Sequence, residues 1–227
     1  MPTLAFISPK GGAGKTTSAL ILATQLAKNA PVTVIDADPN RPIAKWHDAQ
    51  NGKLKNFHVM SNADEENIMD VIEEASSKTP FVIVDLEGTA AKIVVMAVGH
   101  SDFVIVPTQG SQLDAEQAAR ALRVIKQAEK MVRRTNPDYT LPYSVLLTRT
   151  NPVIRSRTLT HIEKNFIAAG IPVFNTELNE REAFRAMFSY QLPLDELSKT
   201  DVANVDKAIC NAVEFTKEVV DTLRRGN

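Results

Sequence analysis

Cysteine occurs once in the 227 residues, at position 210. One thiol excludes a disulfide framework within one chain and, unless subunits share it, a metal site of several cysteines, and it fits a reducing cytoplasm. No uninterrupted run of about 18 apolar residues exists, so no segment is expected to span a bilayer. The opening MPTLAFISPK lacks the basic start and long apolar stretch of a secretory signal. Repeats, low-complexity tracts and long linkers are also absent, and the four histidines show no ligand spacing. Net charge is only −1 at pH 7, with pI ≈ 6.4, so the chain as a whole is not a basic nucleic-acid coat. That small total hides a bipolar distribution. Gln117 to Lys164 holds ten Lys/Arg against three acids, a local +7 that leaves −8 for the remainder.

What is present is ample apolar material, 44% of residues, enough for one large domain spanning 1–227. Short β-branched runs at 3–8, 32–36, 81–85, 102–107, 143–148 and 172–174 read as strands, several of them apolar at nearly every position. Helical periodicity fills 15–29, 64–78, 112–135, 158–169 and 201–224. Such alternation predicts an α/β fold, a doubly wound, mostly parallel sheet with helices on both faces. Ligands of such folds bind at the carboxyl ends of the strands. Three of these ends carry groups suited to chemistry: Lys10 to Thr17, Asp36 with Asp38, and Asp85.

The stretch PKGGAGKTT (9–17) stands between a strand and a helix and carries most of the phosphate-loop pattern GxxxxGK[ST]. Gly14, Lys15 and Thr16 supply its end, while Pro9 occupies the place of the first glycine. Gly11, Gly12 and Gly14 let the backbone, Ala13 included, turn its N–H groups toward phosphate oxygens, and the helix dipole that begins beside Thr16 and Thr17 adds positive potential. Lys15 is expected at the β- and γ-phosphates and the Thr16 hydroxyl on Mg²⁺. Paired acids beside a triphosphate repel it without a cation, so they too imply Mg²⁺. Capping a helix is the competing use of an aspartate at a strand end, and it stays open for Asp36. The extra Lys10, five residues ahead of Lys15, is unexplained by a single nucleotide; a solvated surface lysine is the alternative.

KGGxGKT with its leading lysine resembles the deviant Walker-A signature of the ParA/MinD family of ATPases. Further segments are similar in order. VTVIDADPN (32–40) resembles the strand ending in D-x-D-P-Q, with Asn40 for the usual Gln. FVIVDLEG (81–88) resembles the Walker-B strand and D-x-x-G switch. SDFVIVPTQGSQLDAEQAARAL (101–122), SVLLTRT (144–150) and IPVFNTELNEREAFRAM (171–187) resemble the remaining strands, loops and helices. The layout is that of small single-domain plasmid-partition members. The resemblance implies a Mg·ATP-dependent homodimer in which Lys10 reaches the partner's ATP in trans. It also implies Asp38 positioning the attacking water, Asp85 as the Walker-B acid holding Mg²⁺, Asp36 behind it, and Gly88 offering its N–H to the γ-phosphate. Glu87 has no counterpart and reads as a solvated carboxylate. Arg149 is placed near the adenine, a surface or capping role being its alternative. ATP is expected over GTP because no [NT]KxD motif follows a strand; SKTD (198–201) follows PLDEL instead.

In helix 112–135, Leu122, Ile125 and Val132 share one side, and Arg123, Lys126, Lys130, Arg133 and Arg134 the other. With Arg155, Arg157, Arg181, Arg185, Arg224 and Arg225 they form a basic surface suited to non-specific DNA, a use the resemblance also implies. Each taken singly can equally be a solvated side chain. The last helix reads as core packing rather than a membrane anchor, given Glu214, Glu218 and Asp221. Trp46 is expected to be partly buried. Slow hydrolysis, stimulated by a ParB-like centromere-binding or adaptor partner, follows from the resemblance, as does a cytoplasmic, nucleoid-associated location. Operator-specific repression is not expected, as no extra helix-turn-helix segment is read ahead of the loop. The rivals are positioning of another cargo (chemoreceptor cluster, carboxysome, septum regulator or DNA-transfer complex, the last hinted by DADPNRPIAKW), a metabolic P-loop enzyme, and a nucleotide-gated adaptor that scarcely turns over.

Overall fold

Residues 1–87 and 92–225 are described by a computed structural model. Seven strands form the sheet: β1 (Thr3–Phe6), β2 (Val32–Ala37), β3 (Phe57–Met60), β4 (Phe81–Leu86), β5 (Phe103–Thr108), β6 (Tyr143–Thr150) and β7 (Leu178–Asn179). Their spatial order is β3-β2-β4-β1-β5-β6-β7, and every pairing between neighbours is parallel. Between and after them run α1 (Lys15–Leu26), α2 (Pro42–Asp48), α3 (Ile68–Lys78), α4 (Lys92–Gly99), α5 (Gln112–Val132), α6 (Arg157–Ala168), α7 (Glu182–Ser189), a 3₁₀ turn at Leu194–Glu196, and α8 (Val205–Arg225).

Side chains alternate across each strand, so one strand feeds two cores. Leu4, Phe6, Val32, Val34, Ile83 and Leu146 face a layer that includes α1, α2, α7 and α8. Ala5, Ile7, Ile35, Val82, Val84, Val145 and Leu147 face α3, α4, α5 and α6 on the other side. The nearly unbroken apolar strands are thus those covered on both faces. The doubly wound parallel sheet expected from the alternation is the observed fold.

Several boundaries and elements differ from the expectation. β3, α2 and α4 carry no clear period and were not anticipated. The helix expected from 64 starts at Ile68, because the Asp64 side chain accepts the N–H groups of Glu66 and Asn67 in a local turn. The last helix begins at Val205 rather than 201, after Asn204 adopts φ 58. The run at 172–174 makes only an isolated bridge, Val145 to Val173, and the edge strand lies further on at Leu178–Asn179. In α8 the buried stripe is Val205, Ala208, Ala212, Phe215 and Val219, while Val213 is exposed. Trp46 is fully buried rather than partly so, with Nε1 donating to the Met187 carbonyl at 2.8 Å. Among the described residues no helix is long and apolar enough to cross a membrane.

Candidate nucleotide site

The phosphate loop leaves β1 at the centre of the sheet. Gly12 and Gly14 take φ 76 and φ 100, left-handed conformations that a side chain resists, and Gly14 caps α1. The loop is fastened from two neighbouring strand ends. Gln109 Nε2 donates to the Gly12 carbonyl at 2.8 Å, and Thr148 Oγ1 to the Ala13 carbonyl at 2.8 Å. Ala13 is buried as a result. A cavity of about 380 Å³ opens above, lined by Pro9, Gly11, Gly12, Gly14, Lys15, Thr16, Thr17, Asp38, Glu87 and Arg149. Most of the residues singled out in the sequence for phosphate chemistry therefore meet in one chamber. Gly88 lies outside the described residues.

Lys15 is buried, and Nζ donates to the Ser8 carbonyl at 3.3 Å. Burial pushes its ammonium below the ordinary lysine range, against the attraction of Asp85, Asp38 and Glu87. Asp38 accepts the Asn40 N–H at 2.8 Å through one oxygen. Glu87, expected to be merely solvated, is exposed but also lines the chamber.

The β2–β4 register sets Asp36 directly beside Asp85. Asp36 Oδ2 accepts the Ile43 and Ala44 N–H groups, both at 2.8 Å, and so caps α2. Its other oxygen and both oxygens of Asp85 are buried without a hydrogen-bond partner. Burial pushes the Asp85 carboxyl up to about 7; the Asp36 carboxylate adds to this, while the nearby Thr16 hydroxyl and Lys15 oppose it. Burial likewise raises Asp36, its backbone N–H donors opposing. Three orphaned carboxylate oxygens side by side call for a cation. No group of three or more His, Cys, Asp or Glu suited to a metal occurs among the described residues. The donor set therefore fits a hard ion completed by phosphate, a hydroxyl and water, as Mg²⁺ is, and not an all-protein cage. Of the two roles left open for Asp36, the cap is present through Oδ2, and Oδ1 is buried without a partner.

Lys10 does not line this chamber. Its Nζ lies 2.6 Å from Asp114 Oδ1, and the side chain borders a neighbouring cavity with Leu113, Gln117 and Arg120. Asp114 is buried in the first turn of α5, where its N–H is capped by Ser111 and its second oxygen accepts the Ser111 hydroxyl. Burial would raise this carboxyl, but the Lys10 and Ser111 hydrogen bonds outweigh it and hold it below the usual carboxylate range.

A second cavity of about 260 Å³ joins the chamber at Gly14, Thr17 and Arg149 and continues to Asn179, Arg181, Phe184 and Phe188. Arg149 stands at the joint with φ 54, in the register shift between Thr148 and Thr150. Left-handed backbone at a bulky residue is costly and concentrates at functional positions. Arg181, grouped above with the basic surface, is in this pocket. Arg185 also lines it, paired with Glu180 and Glu182, while Arg155 pairs with Glu163 and Glu177. Arg133 pairs with Glu129, and Arg224 lies 3.9 Å from Asp221. No ion pair holds Lys130, Arg134, Arg157 or Arg225 among the described residues.

The VirC1 protein family matches residues 1–223. Protein ParA of Rhizobium radiobacter is 35% identical over 230 residues, 99% of this chain and 100% of that protein. Maintenance of carboxysome distribution protein A of Halothiobacillus neapolitanus is 27% identical over 184 residues, 81% of this chain and 82% of that one. Among solved structures, apo McdA of Cyanothece aligns with TM-score 0.73 at 19% identity, covering 94% of this chain and 99% of that chain. An ATP complex of Cyanothece McdA gives 0.67 at 19% identity, covering 94% and 96%. Identity that low establishes the fold alone. The family match and the ParA relative both run nearly end to end, through the phosphate loop and the acidic strand ends alike: the chain belongs to the VirC1 protein family, among the ParA-like partition and positioning ATPases.

Proposed function

We propose that the chain is a Mg·ATP-dependent dimerising ATPase that binds non-specific DNA and, with a ParB-like centromere-binding or adaptor protein, moves plasmid or chromosomal DNA. The observation that carries this reading is the division of labour between two lysines on one loop. Lys15 faces the chamber over the orphaned carboxylates, whereas Lys10 is turned out of it onto Asp114. A lysine outside its own phosphate chamber serves another only by giving up its pair with Asp114.

In this reading the Gly11–Gly14 backbone and the start of α1, with Thr17, cradle the phosphates. Lys15 bridges the β- and γ-phosphates. Mg²⁺ would be held by the Thr16 hydroxyl and Asp85, with Asp36 behind, and bound there it would neutralise charge developing on the β–γ bridge. Asp38 orients the attacking water, and Gly88 offers its N–H to the γ-phosphate. Arg149 meets the nucleotide where phosphate gives way to sugar and base. Lys10 exchanges Asp114 for the partner's triphosphate. Charges in such an interface repel by several kcal/mol per pair at an effective dielectric near 20, roughly, so a cation lent in trans makes ATP the link between subunits. Hydrolysis by the isolated chain is slow, and the partner supplies the stimulus. The cargo is open to one alternative: the relative named for carboxysome distribution supports positioning of a protein assembly.

Sedimentation with ADP, with ATP, and with ATP on a Lys10→Ala variant tests the core of this. Dimers should form only with ATP and wild type. Equal dimerisation by the variant removes the trans role; a monomer under every condition removes the dimer.

A further inference from the structure

Arg181 sits at the N-cap of α7, half-buried, and its surroundings are unlike those of a DNA-facing arginine. Nη2 donates to Asn179 Oδ1 at 3.0 Å. That oxygen is fixed, because Asn179 Nδ2 donates to Thr150 Oγ1 at 2.9 Å and the Asn179 N–H to Asn211 Oδ1 at 3.0 Å. Asn211 is itself buried and tied by Nδ2 to the Glu177 carbonyl at 2.8 Å. One arm of the guanidinium, Nη2, is therefore anchored to a network running from α8 through the β7 edge. One donor of the fork is buried without a partner. Nε is shut off from solvent and meets no acceptor, a condition that charged donors in folded proteins seldom keep.

The side chain borders the cavity that runs on from the phosphate chamber through Gly14, Thr17 and Arg149, with Phe184 and Phe188 as apolar walls. A cavity of about 260 Å³ beside a phosphate loop has the size and lining for a flat aromatic base. Resting on the ATP reading above, we propose that Arg181 is the base-reading residue of this site, donating to a ring nitrogen of adenine once the base enters and the side chain turns toward it. Adenine ring nitrogens are acceptors, so an all-donor guanidinium suits them. The same placement removes Arg181 from the DNA surface.

Calorimetric titration of the full chain with Mg·ATP and with Mg²⁺ plus ribose 5-triphosphate, which lacks a base, tests the assignment. Arg181→Ala and Arg181→Lys should each weaken ATP roughly 10- to 100-fold, the range for a lost hydrogen bond to a charged group. Neither should change affinity for ribose triphosphate, which separates base reading from damage to the loop. Retention on a random-sequence duplex at saturating ATP is read beside it, since an arginine on the DNA surface would lose it on removal of the charge in Arg181→Ala. Unchanged ATP affinity in both variants, or equal losses for both ligands, overturns the proposal. So does loss of DNA retention with ATP affinity intact. Failure of the wild type to bind Mg·ATP at all overturns the ATP reading together with it.

Discussion

Asp85 concentrates the chemistry of the site in one side chain. It is fully buried, both oxygens lack partners, and its carboxyl titrates near 7. An unfolded aspartate titrates near 3.9. The raised value means that the apo fold binds a proton that the unfolded chain has released. Ionised Asp85 therefore costs nothing below the unfolded pKa. The penalty grows as pH rises between the two values and is complete above 7. Asp85→Asn should stabilise the apo protein on the order of 4 kcal/mol at pH 8 and under about 2 kcal/mol at pH 5, measured as urea-midpoint shifts. An equal gain at both pH values would mean that burial does not govern this carboxyl. The variant should also lose Mg·ATP binding. Asp85 was readable in the chain because it ends an apolar strand, as were Lys10, Lys15, Thr16 and Asp38 from their local motifs. Asn179 and Arg181 were not readable as pocket residues. They come from the far end of the chain and reach the loop only through the β6–β7 pairing, which leaves no local signature.

At the scale of elements, the strands that could be read are those covered on both faces, β1, β2, β4, β5 and β6, because near-continuous β-branched runs admit few other structures. The helices with a clear apolar stripe were also readable. α2 and α4 escaped for different reasons. α2 has only seven residues, PIAKWHD, too short for a period, though Pro42 at its first turn was an available start signal. α4 reads KIVVMAVG, whose β-branched run suits a strand as well as a helix. β3, at the sheet edge, has only four residues. α2 matters to the site because Asp36 caps it and Trp46 ties it to α7 through the Met187 carbonyl. Gln50, just beyond α2, makes a parallel link to the Gln191 carbonyl at 2.7 Å. The element behind the acidic pair is thus fastened to the helix that carries Arg181. Trp46→Phe keeps most of the ring volume but removes the indole donor from the Met187 carbonyl, which retains the Leu192 N–H at 3.1 Å. It should lower unfolding stability by about 0.5–1.5 kcal/mol, the net worth of one hydrogen bond, seen as a reduced urea midpoint at constant m-value. An unchanged midpoint would show that the link carries no weight.

At the scale of the molecule, charge is distributed by direction. The carboxyl ends of the strands hold the acidic pair and the nucleotide chamber. α5 starts at this end, where Asp114 meets Lys10, and runs 21 residues away from it. Arg120, Arg123, Lys126 and Lys130 are exposed on it and span an arc of about 120° at 100° per residue, and Arg133 and Arg134 are exposed just past its end. Of these six only Arg133 is in an ion pair among the described residues. By contrast Arg155 and Arg185, basic in sequence, are each neutralised by two carboxylates. Sequence composition counts cations, but only the fold shows which have spent their charge internally. If DNA binds as proposed, the α5 arc should carry it. In an ATP-held dimer one Lys130→Ala substitution removes two cations. The slope of log K against log salt should then flatten by about 1.8, since each phosphate contact contributes roughly 0.9. Arg155→Ala should leave the slope unchanged. Filter binding of a random-sequence duplex with ATP, over a salt series, reads both variants against wild type. Equal slopes for Lys130→Ala and wild type would exclude that lysine from the contact, and a steep loss with Arg155→Ala would put the DNA surface on the α6 side instead.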